Sequence, residues 1–178
     1  MKIEYVSLNW QSKTLYLASL DHHIVFLGNR ALFEKYLIQS KDYQVVKGEV
    51  ASFVGNCRDE LKKFLSGDRT RHQWETEFQD YFQPKLIFGT PFQQKVWQSI
   101  SVIPWGQTLT YSDLAQKVQT INHTRALANA IAKNPLIIFI PCHRVLPRTG
   151  GIGKYSGGTA LKAYLLTMEK DDSYEKIC

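Results

Sequence analysis

The tetrapeptide "PCHR" puts a thiol, an imidazole and a guanidinium side by side at the end of the apolar run "LIIFI". A thiol is a strong nucleophile only when it is ionised, so a reactive Cys142 requires neighbours that lower its pKa. His143 and Arg144 are the nearest candidates in the sequence. If the apolar run continues as a buried strand, however, Cys142 and His143 point to opposite sides of it. The histidine then reaches the sulfur only through a chain turn at Pro141 or a bridging water.

Three interpretations of Cys142 compete: one half of a disulfide or metal site, an inert core thiol, and a nucleophile with its base. The other cysteines, Cys57 and Cys178, are distant in sequence, and the chain has no CxxC pair. A structural zinc site needs about four Cys or His ligands at short spacing, and no such set is visible. His22 and His23 lie at the tip of a predicted hairpin, where we expect them to be exposed. The pattern therefore predicts no metal site and disfavours a disulfide.

The composition is that of a soluble globular protein: 44% of the 178 residues are hydrophobic and 21% are charged. The length allows one domain or two small ones. The apolar runs are far too short to span a bilayer, and the N-terminal "MKIEYVSLNW" lacks the apolar core of a signal peptide. We therefore expect a cytoplasmic protein without a membrane partner.

Positive charge is concentrated in the second half of the chain. Residues 91–170 carry nine Lys and Arg against only Asp113 and Glu169, whereas residues 1–90 carry 12 against 11 Asp and Glu. This asymmetry favours a polyanionic partner, and nucleic acid above all, over a merely basic surface. Because Glu169 is nearly the only acid in this half, its most economical explanation is that it orients His143.

The first half of the chain predicts a mixed sheet with helices. "TLYLASL" and "HIVFLG" flank a short turn in the manner of a hairpin, and "ALFEKYLIQ" and "CRDELKKFLSG" have helical spacing. Gly67 predicts the end of the second helix, and "QPKLIFGTP" is typical of a linker. We therefore predict an α/β domain over residues 1–85, a second domain over 86–173 that carries the positive charge and Cys142, and a tail over 174–178.

The second half predicts helices with clear starts. Thr90 and Gln93 form a capping-box pattern around a proline, and Thr110 and Asp113 repeat it before "TYSDLAQKV". A polar turn through Asn122 leads to a further helix, "TRALANAIAKN". Two short helices joined by a turn in a basic domain are typical of a helix-turn-helix.

The two faces of this second helix differ in size and polarity. Leu127, Ala130 and Ile131 share one face, which we expect to face the core. The opposite face offers few donors and acceptors for base edges in the major groove, but it is thin enough to enter the minor groove. An alanine-rich surface helix is the alternative. The members of this thin face are Arg125, Ala128, Asn129 and Ala132.

"IPCHRV", with "NP" upstream and "YSGG" and "LLxxE" downstream, resembles the O6-alkylguanine-DNA alkyltransferase (methylated-DNA–protein-cysteine methyltransferase) family. The resemblance extends through "GTPFQQKVW", "IPWGQTLTYSDLA" and "TRALANAIAKNP" and covers residues 89–169; the N-terminal half resembles the family more loosely, mainly in "FLSGDR". It implies a ribonuclease H-like mixed sheet with helices, followed by a mainly α, winged-helix-like domain. It also implies DNA repair by a monomer without a cofactor. The substrate would be double-stranded DNA with a flipped-out O6-alkylguanine, or O4-methylthymine, whose alkyl group moves once onto the protein's own cysteine.

The resemblance also implies a role for each matching catalytic residue. Cys142 would accept the alkyl group, and His143 would deprotonate it through a water. Glu169 would orient His143, and Asn134 would tie the active-site turn to the recognition helix. Tyr111 would help to expel the damaged nucleotide and would donate a hydrogen bond or a proton to the base.

Further matches concern the DNA and the extruded base. Arg125 would occupy the gap in the duplex, Tyr155 and Ser156 would line the pocket, and Lys162 would lie near Tyr111. The resemblance departs at other residues: many relatives have glycine where this chain has Ala128, Asn129 is larger than expected, and Ile137 is proline in some members. The first two departures bear on affinity for DNA, and the third bears on tolerance of bulky alkyl groups.

Two other functions are compatible with parts of this pattern. A binding-only protein that recognises alkylated DNA would resemble this chain, but such relatives lack the acceptor that Cys142 provides. A winged-helix transcription regulator would also be basic, but the face around Arg125 offers few groups for reading bases.

Overall fold

Three antiparallel strands and one parallel strand form the N-terminal sheet. β1 (Lys2–Trp10) pairs with β2 (Lys13–Leu20), and β2 pairs with β3 (His23–Asn29). β4 (Gln44–Lys47) lies parallel to β1, which gives the order β3-β2-β1-β4. Asp21 and His22 in the β2–β3 turn have φ angles of +48° and +62°, as a tight hairpin that matches the strand twist requires. The predicted hairpin is confirmed, with His22 exposed and His23 half-buried.

The structure, a computed structural model, divides into two compact units, Met1–Phe88 and Gly89–Cys178. Within the described residues, no helix is both long and apolar enough to cross a membrane. The structure describes residues 1–68, 73, 77, 79–120 and 124–174, and for 79 and 171–174 it describes the backbone alone.

In the first unit, side-chain caps mark the starts of α1 and α2, and a glycine marks the end of α2. Asn29 caps α1 (Arg30–Gln39) and Ser52 caps α2 (Phe53–Leu65), each by accepting a backbone N–H two or three residues inside the helix. Gly67, with φ of +83°, follows α2 and donates to the carbonyl of Phe64, so the predicted stop is confirmed. A short α3 (Gln79–Phe82) follows.

The segment predicted as a linker packs onto the core of the first unit. The backbone N–H of Lys85 donates to the carbonyl of Ile24 at 2.8 Å. Ile87 and Phe88 then pack against the apolar cluster between the sheet and α1. The first unit therefore extends through this segment to Phe88.

The second unit is mainly helical, and both predicted capping boxes are confirmed. Thr90 and Gln93 bond reciprocally at the start of the first helix, and Thr110 and Asp113 do so at the start of the second. Two short parallel strands complete the unit. Its elements are α4 (Pro91–Ser101), β5 (Leu109–Thr110), α5 (Tyr111–Lys117), α6 (Thr124–Ala132), β6 (Val145–Leu146) and α7 (Thr159–Tyr174).

α5 and α6 are the two predicted helices of the helix-turn-helix. The predicted turn through Asn122 falls on residues 121–123, which lie outside the described residues, as does Cys178. Leu127, Ala130 and Ile131 of α6 are buried, so the predicted core face is confirmed. The opposite face is exposed throughout.

The apolar run before Cys142 is not a strand, so that expectation is wrong. The segment is buried but irregular, with one bridge between Ile137 and Ile140, and Ile138 has φ of +76°. Prolines flank the run on both sides and lack the N–H that a strand ladder needs. The side chain of Asn134 instead satisfies the backbone, since it accepts from Leu136 N and donates to Ile140 O.

Candidate active site

Cys142 begins a single 3₁₀ turn, Cys142–Arg144, and its side chain lies at the wall of a cavity of about 550 Å³. The residue is only 3% exposed, yet the cavity reaches it. Cavities of this size accommodate small organic molecules. Predicted site residues that line the cavity are Tyr111, Ala128, Cys142, Tyr155 and Ser156.

A glycine-rich loop forms one side of this cavity. Gly153 has φ of +70°, a conformation that side chains disfavour, and a Cβ atom there would lie 2.9 Å from Pro147. A Cβ atom on Gly157 would lie 2.8 Å from the ring of Tyr155. Glycine thus lets the loop bring Tyr155 and Ser156 close to the sulfur.

Asn134 contacts the sulfur directly. Its side-chain Nδ2 donates to Sγ of Cys142 at 3.1 Å and to the carbonyl of Ile140 at 2.8 Å, and the residue is fully buried. Because Asn134 follows α6 by two residues, it connects the exposed helix of the helix-turn-helix to the thiol of Cys142.

The pKa of Cys142 corrects the prediction of an ionised thiol. Burial raises this pKa to about 11, against the opposing effects of the Asn134 hydrogen bond and the Lys162 charge. The groups that lower it are Asn134 and Lys162 rather than the expected neighbours His143 and Arg144, and desolvation outweighs them. The raised pKa keeps the thiol protonated at neutral pH. The nucleophile must therefore form by transfer of its proton to a base.

His143, Glu169 and Arg144 form a buried charged cluster beside the thiol. His143 Nε2 lies 2.7 Å from Glu169 Oε1. Arg144 donates its Nε to Glu169 Oε2 and its Nη2 to Oε1, each at 2.9 Å. All three side chains are at most 8% exposed. The sequence indicated the contact between His143 and Glu169, but it did not indicate the carboxylate–arginine fork.

This cluster fixes which nitrogen of His143 carries a proton. Burial raises the pKa of Glu169, but hydrogen bonds and charges from His143 and Arg144 outweigh burial, so the net shift is downward. An ionised carboxylate only accepts hydrogen bonds, so Nε2 of His143 is the donor. Burial, Arg144 and Lys162 lower the pKa of His143, whereas Glu169 raises it, and the net shift is downward. The imidazole is therefore neutral, with a lone pair on Nδ1.

Nδ1 of His143 is buried, and among the described residues it meets no hydrogen-bond partner. The ring of Tyr155 lies edge-on to the imidazole at a centroid distance of 6.1 Å. A buried nitrogen with a lone pair is costly unless something bonds to it, and a water or an incoming proton donor would satisfy it.

Three further predicted site residues differ in their burial and hydrogen bonds: Tyr111, Ser156 and Lys162. Burial, and then the Cys142 charge, raise the pKa of Tyr111, which keeps the phenol a proton donor. Ser156 donates its hydroxyl to the carbonyl of Ala132 at 3.0 Å. Lys162 is 1% exposed and donates to the carbonyl of Val145 at 2.8 Å. Burial lowers the pKa of Lys162 against the effect of Cys142.

The thin face of α6 presents the residues predicted to meet DNA. Arg125, Ala128 and Asn129 are exposed, and Ala128 also lines the cavity. α6 is held from behind, because the indole N–H of Trp97 donates to the carbonyl of Ala130 at 2.8 Å. No group of three or more His, Cys, Asp or Glu residues in the described part of the chain is arranged to hold a metal ion.

Comparisons with known proteins agree with this geometry. The family model described as "6-O-methylguanine DNA methyltransferase, DNA binding domain" matches residues 91–171. The constitutive methylated-DNA–protein-cysteine methyltransferase of Bacillus subtilis (strain 168) is 35% identical over 69% of this chain and 70% of its own length. A probable methyltransferase of the same name from Acanthamoeba polyphaga mimivirus is 41% identical over 64% of this chain and 74% of its own length.

Solved structures extend the similarity to nearly the whole chain. The crystal structure of Mycobacterium tuberculosis O6-methylguanine methyltransferase is 28% identical, covers 96% of this chain and 94% of its own, and has a TM-score of 0.68. The structure of the same organism's protein in complex with DNA has a TM-score of 0.70 at 27% identity, over 95% of this chain and 94% of its own. Both structures combine a mixed sheet with a helical domain, as this chain does.

Proposed function

This chain belongs to the methylated-DNA–protein-cysteine methyltransferase family, and we propose that Cys142 is the residue that accepts the alkyl group from O6-alkylguanine in DNA. The observation that carries the proposal is a buried thiol on the wall of a 550 Å³ cavity, beside a neutral histidine with a free lone pair. The cavity suits a single base taken out of the duplex, since an alkyl group on O6 cannot be reached inside the stack.

The reaction begins with the proton of the thiol. Because the pKa of Cys142 is about 11, the proton must leave as the nucleophile forms, and Nδ1 of His143 takes it through a bridging water. Glu169 stabilises the imidazolium that results. A water at this position would also give Nδ1 of His143 a hydrogen-bond partner. We therefore expect the protein without DNA to hold an ordered water there.

The alkyl carbon then changes partners. The sulfur forms a bond to this carbon as the bond from carbon to O6 breaks, and the electron pair of that bond stays with guanine. Tyr111 donates a proton or hydrogen bond to the departing base. Ser156 contacts O6 once its hydroxyl turns away from Ala132. The product is a thioether, and none of the described residues that line the cavity is suited to cleave it, so each molecule acts once.

DNA binding falls to the thin face of α6. Arg125 fills the gap that the extruded nucleotide leaves, while Ala128 and Asn129 approach the minor groove. The excess of Lys and Arg in residues 91–170 supplies the attraction to phosphates, which needs no base sequence. Lys162 supports the pocket by holding the backbone at Val145.

The finer assignments follow from family membership. We assign the first unit, Met1–Phe88, a ribonuclease H-like fold and a supporting role, and the second unit, which begins at Gly89, a winged-helix-like fold with DNA binding and catalysis. We further propose a cytoplasmic monomer that uses no cofactor and that also repairs O4-methylthymine.

A stoichiometric transfer assay tests the proposal. The protein is mixed with a duplex that contains one O6-methylguanine with a radiolabelled methyl group. We expect label on the protein to rise to about one equivalent and then stop. Binding without transfer by the unaltered protein would favour the binding-only alternative, and preference for an unmodified sequence would favour a transcription regulator. Continued turnover would contradict the single-use mechanism.

A further inference from the structure

We propose that Arg144 is a positioning residue for alkyl transfer: it fixes Glu169 in the orientation that accepts the Nε2–H of His143, and it thereby leaves Nδ1 free to receive the proton of Cys142. This inference rests on the proposed function. It assigns a task to the arginine of the "PCHR" motif, which the mechanism above does not use.

The carboxylate of Glu169 is held from two directions, by Arg144 and by the backbone of Gly106. Nε and Nη2 grip Glu169 as a planar fork, with a further contact of 3.2 Å from Nε to Oε1. The backbone N–H of Gly106 reaches Oε2 at 3.4 Å. Oε1, which bonds His143, therefore cannot rotate away without breaking the fork.

Arg144 is itself anchored on the segment between α4 and β5. Its Nη1 donates to the carbonyl of Ile103. Its guanidinium lies over the ring of Trp105, 5.6 Å from the ring centroid. Arg144 is thus held by Glu169, by the carbonyl of Ile103 and by the ring of Trp105. Because it cannot easily move, it keeps Glu169 in a fixed orientation.

The charge of Arg144 also limits what Glu169 does to His143. A buried carboxylate without Arg144 would stabilise the imidazolium and so raise the pKa of His143. Nδ1 would then already carry a proton before the reaction starts. Burial is the main cause that lowers the pKa of His143, and the charge of Arg144 lowers it further against Glu169, so the imidazole stays neutral. The other groups that act on His143 are Lys162, whose charge lowers its pKa, and Tyr155, whose own raised pKa keeps the phenol protonated.

Two substitutions separate the charge of Arg144 from its geometry. Arg144→Met removes both, and Arg144→Lys keeps the positive charge but loses the fork. Arg148→Met is the matched control, because Arg148 is an exposed arginine of the same unit. The single-turnover rate constant is measured from pH 5 to pH 9, normalised to the fraction of protein that can be alkylated, so that loss of folded protein does not enter.

For Arg144→Met we expect the acid limb of the rate profile to move to higher pH, because His143 now holds a proton that must be lost first. For Arg144→Lys we expect the limb to stay where it is in the unaltered protein, while the maximal rate constant falls about 10- to 100-fold, as for other groups that orient a histidine. Arg148→Met should leave the shape of the profile unchanged.

Nitrogen-15 NMR of the histidine rings provides a second measurement, with His143→Gln to assign the signals. In the unaltered protein we expect His143 to carry its proton on Nε2 alone, and in Arg144→Lys we expect a mixture of tautomers. If Arg144→Met does not fold, the two measurements on Arg144→Lys decide.

An unmoved acid limb in Arg144→Met, or an Arg144→Lys variant with the rate and tautomer of the unaltered protein, would overturn the inference. Absence of transfer by the unaltered protein would instead overturn the proposed function, so the two failures are distinguishable. A lower melting temperature with no change in profile or tautomer would leave Arg144 a merely structural residue and would also overturn the inference.

Discussion

Two buried thiols, one in each unit of the molecule, allow the proposed acceptor to be compared with a cysteine that has no proposed role. Cys57 in α2 is 0% exposed, and burial with the nearby charge of Glu60 raises its pKa to about 12. Cys142 is 3% exposed, and burial raises its pKa to about 11. By burial and acidity the two residues are nearly alike, although they differ completely in what surrounds them.

The difference lies in the partners of the sulfur rather than in its acidity at rest. Cys142 receives a hydrogen bond from Asn134, feels the charge of Lys162 and borders a cavity, next to a base with a free lone pair. Cys57 is packed in the apolar interior of its unit. A reactive thiol can therefore be protonated and buried, provided that a route for its proton and space for its substrate are both built around it.

The strongest test of this comparison is removal of each thiol in turn. Cys142→Ala should abolish transfer of a labelled methyl group while binding to an alkylated duplex persists, because the acceptor atom is lost but the DNA-facing surface is not. Cys57→Ala should still take up about one equivalent of label. Label on Cys142→Ala, or its absence from Cys57→Ala that remains folded, would reverse the assignment of the two thiols.

The next test removes the group that distinguishes the two sites most directly. Asn134→Ala loses the hydrogen bond to the sulfur and leaves Leu136 N and Ile140 O without a side-chain partner. We expect a loss of about 2–4 kcal/mol in the free energy of unfolding, measured with denaturant, and a transfer rate at least about tenfold lower.

Ser40→Ala is the matched control for Asn134, since Ser40 is also fully buried and donates to one carbonyl, that of Tyr36. Its loss should cost about 1 kcal/mol and leave the transfer rate unchanged. Equal losses of stability and rate in the two variants would mean that Asn134 has no special relation to the thiol.

Helix starts in this chain could be predicted from sequence because a cap is made by neighbours. Thr90 with Gln93, and Thr110 with Asp113, contain all the atoms of their capping boxes within four residues. The core face of α6 was equally local, since it depends only on helical periodicity.

Features of the active site that depend on distant contacts could not be predicted in this way. An apolar run predicts burial but not whether the backbone forms a strand or a loop, and here Asn134 decides for the loop. Arg144 and Glu169 are 25 residues apart, so no local pattern indicates their fork. The acidity of Cys142 depends on its desolvation, which only the folded chain determines.

The exposed face of α6 offers a contrast to both buried thiols. Arg125→Ala should lower the repair rate of a paired lesion about tenfold, because the gap in the duplex is no longer filled, and it should affect a free base analogue much less. The ratio of the two rate constants is the measurement. Lys133, exposed just after α6, provides a charge-matched control as Lys133→Ala. Equal losses on both substrates would contradict the role of Arg125 as a wedge.

The smallest effect concerns the pH dependence of stability, where the two thiols should behave alike. Both have a raised pKa in the folded state, so as pH rises above 9 the unfolded chain loses these protons first and unfolding becomes more favourable. Between pH 8 and pH 10 the titration of each thiol should lower the free energy of unfolding by about 1 kcal/mol. Denaturant unfolding of the unaltered protein, Cys57→Ala and Cys142→Ala at both pH values isolates this contribution, because other groups titrate equally in all three. If Cys142→Ala lost more stability than the unaltered protein between the two pH values, Cys142 would already be ionised at rest, and the proton transfer to His143 would be unnecessary.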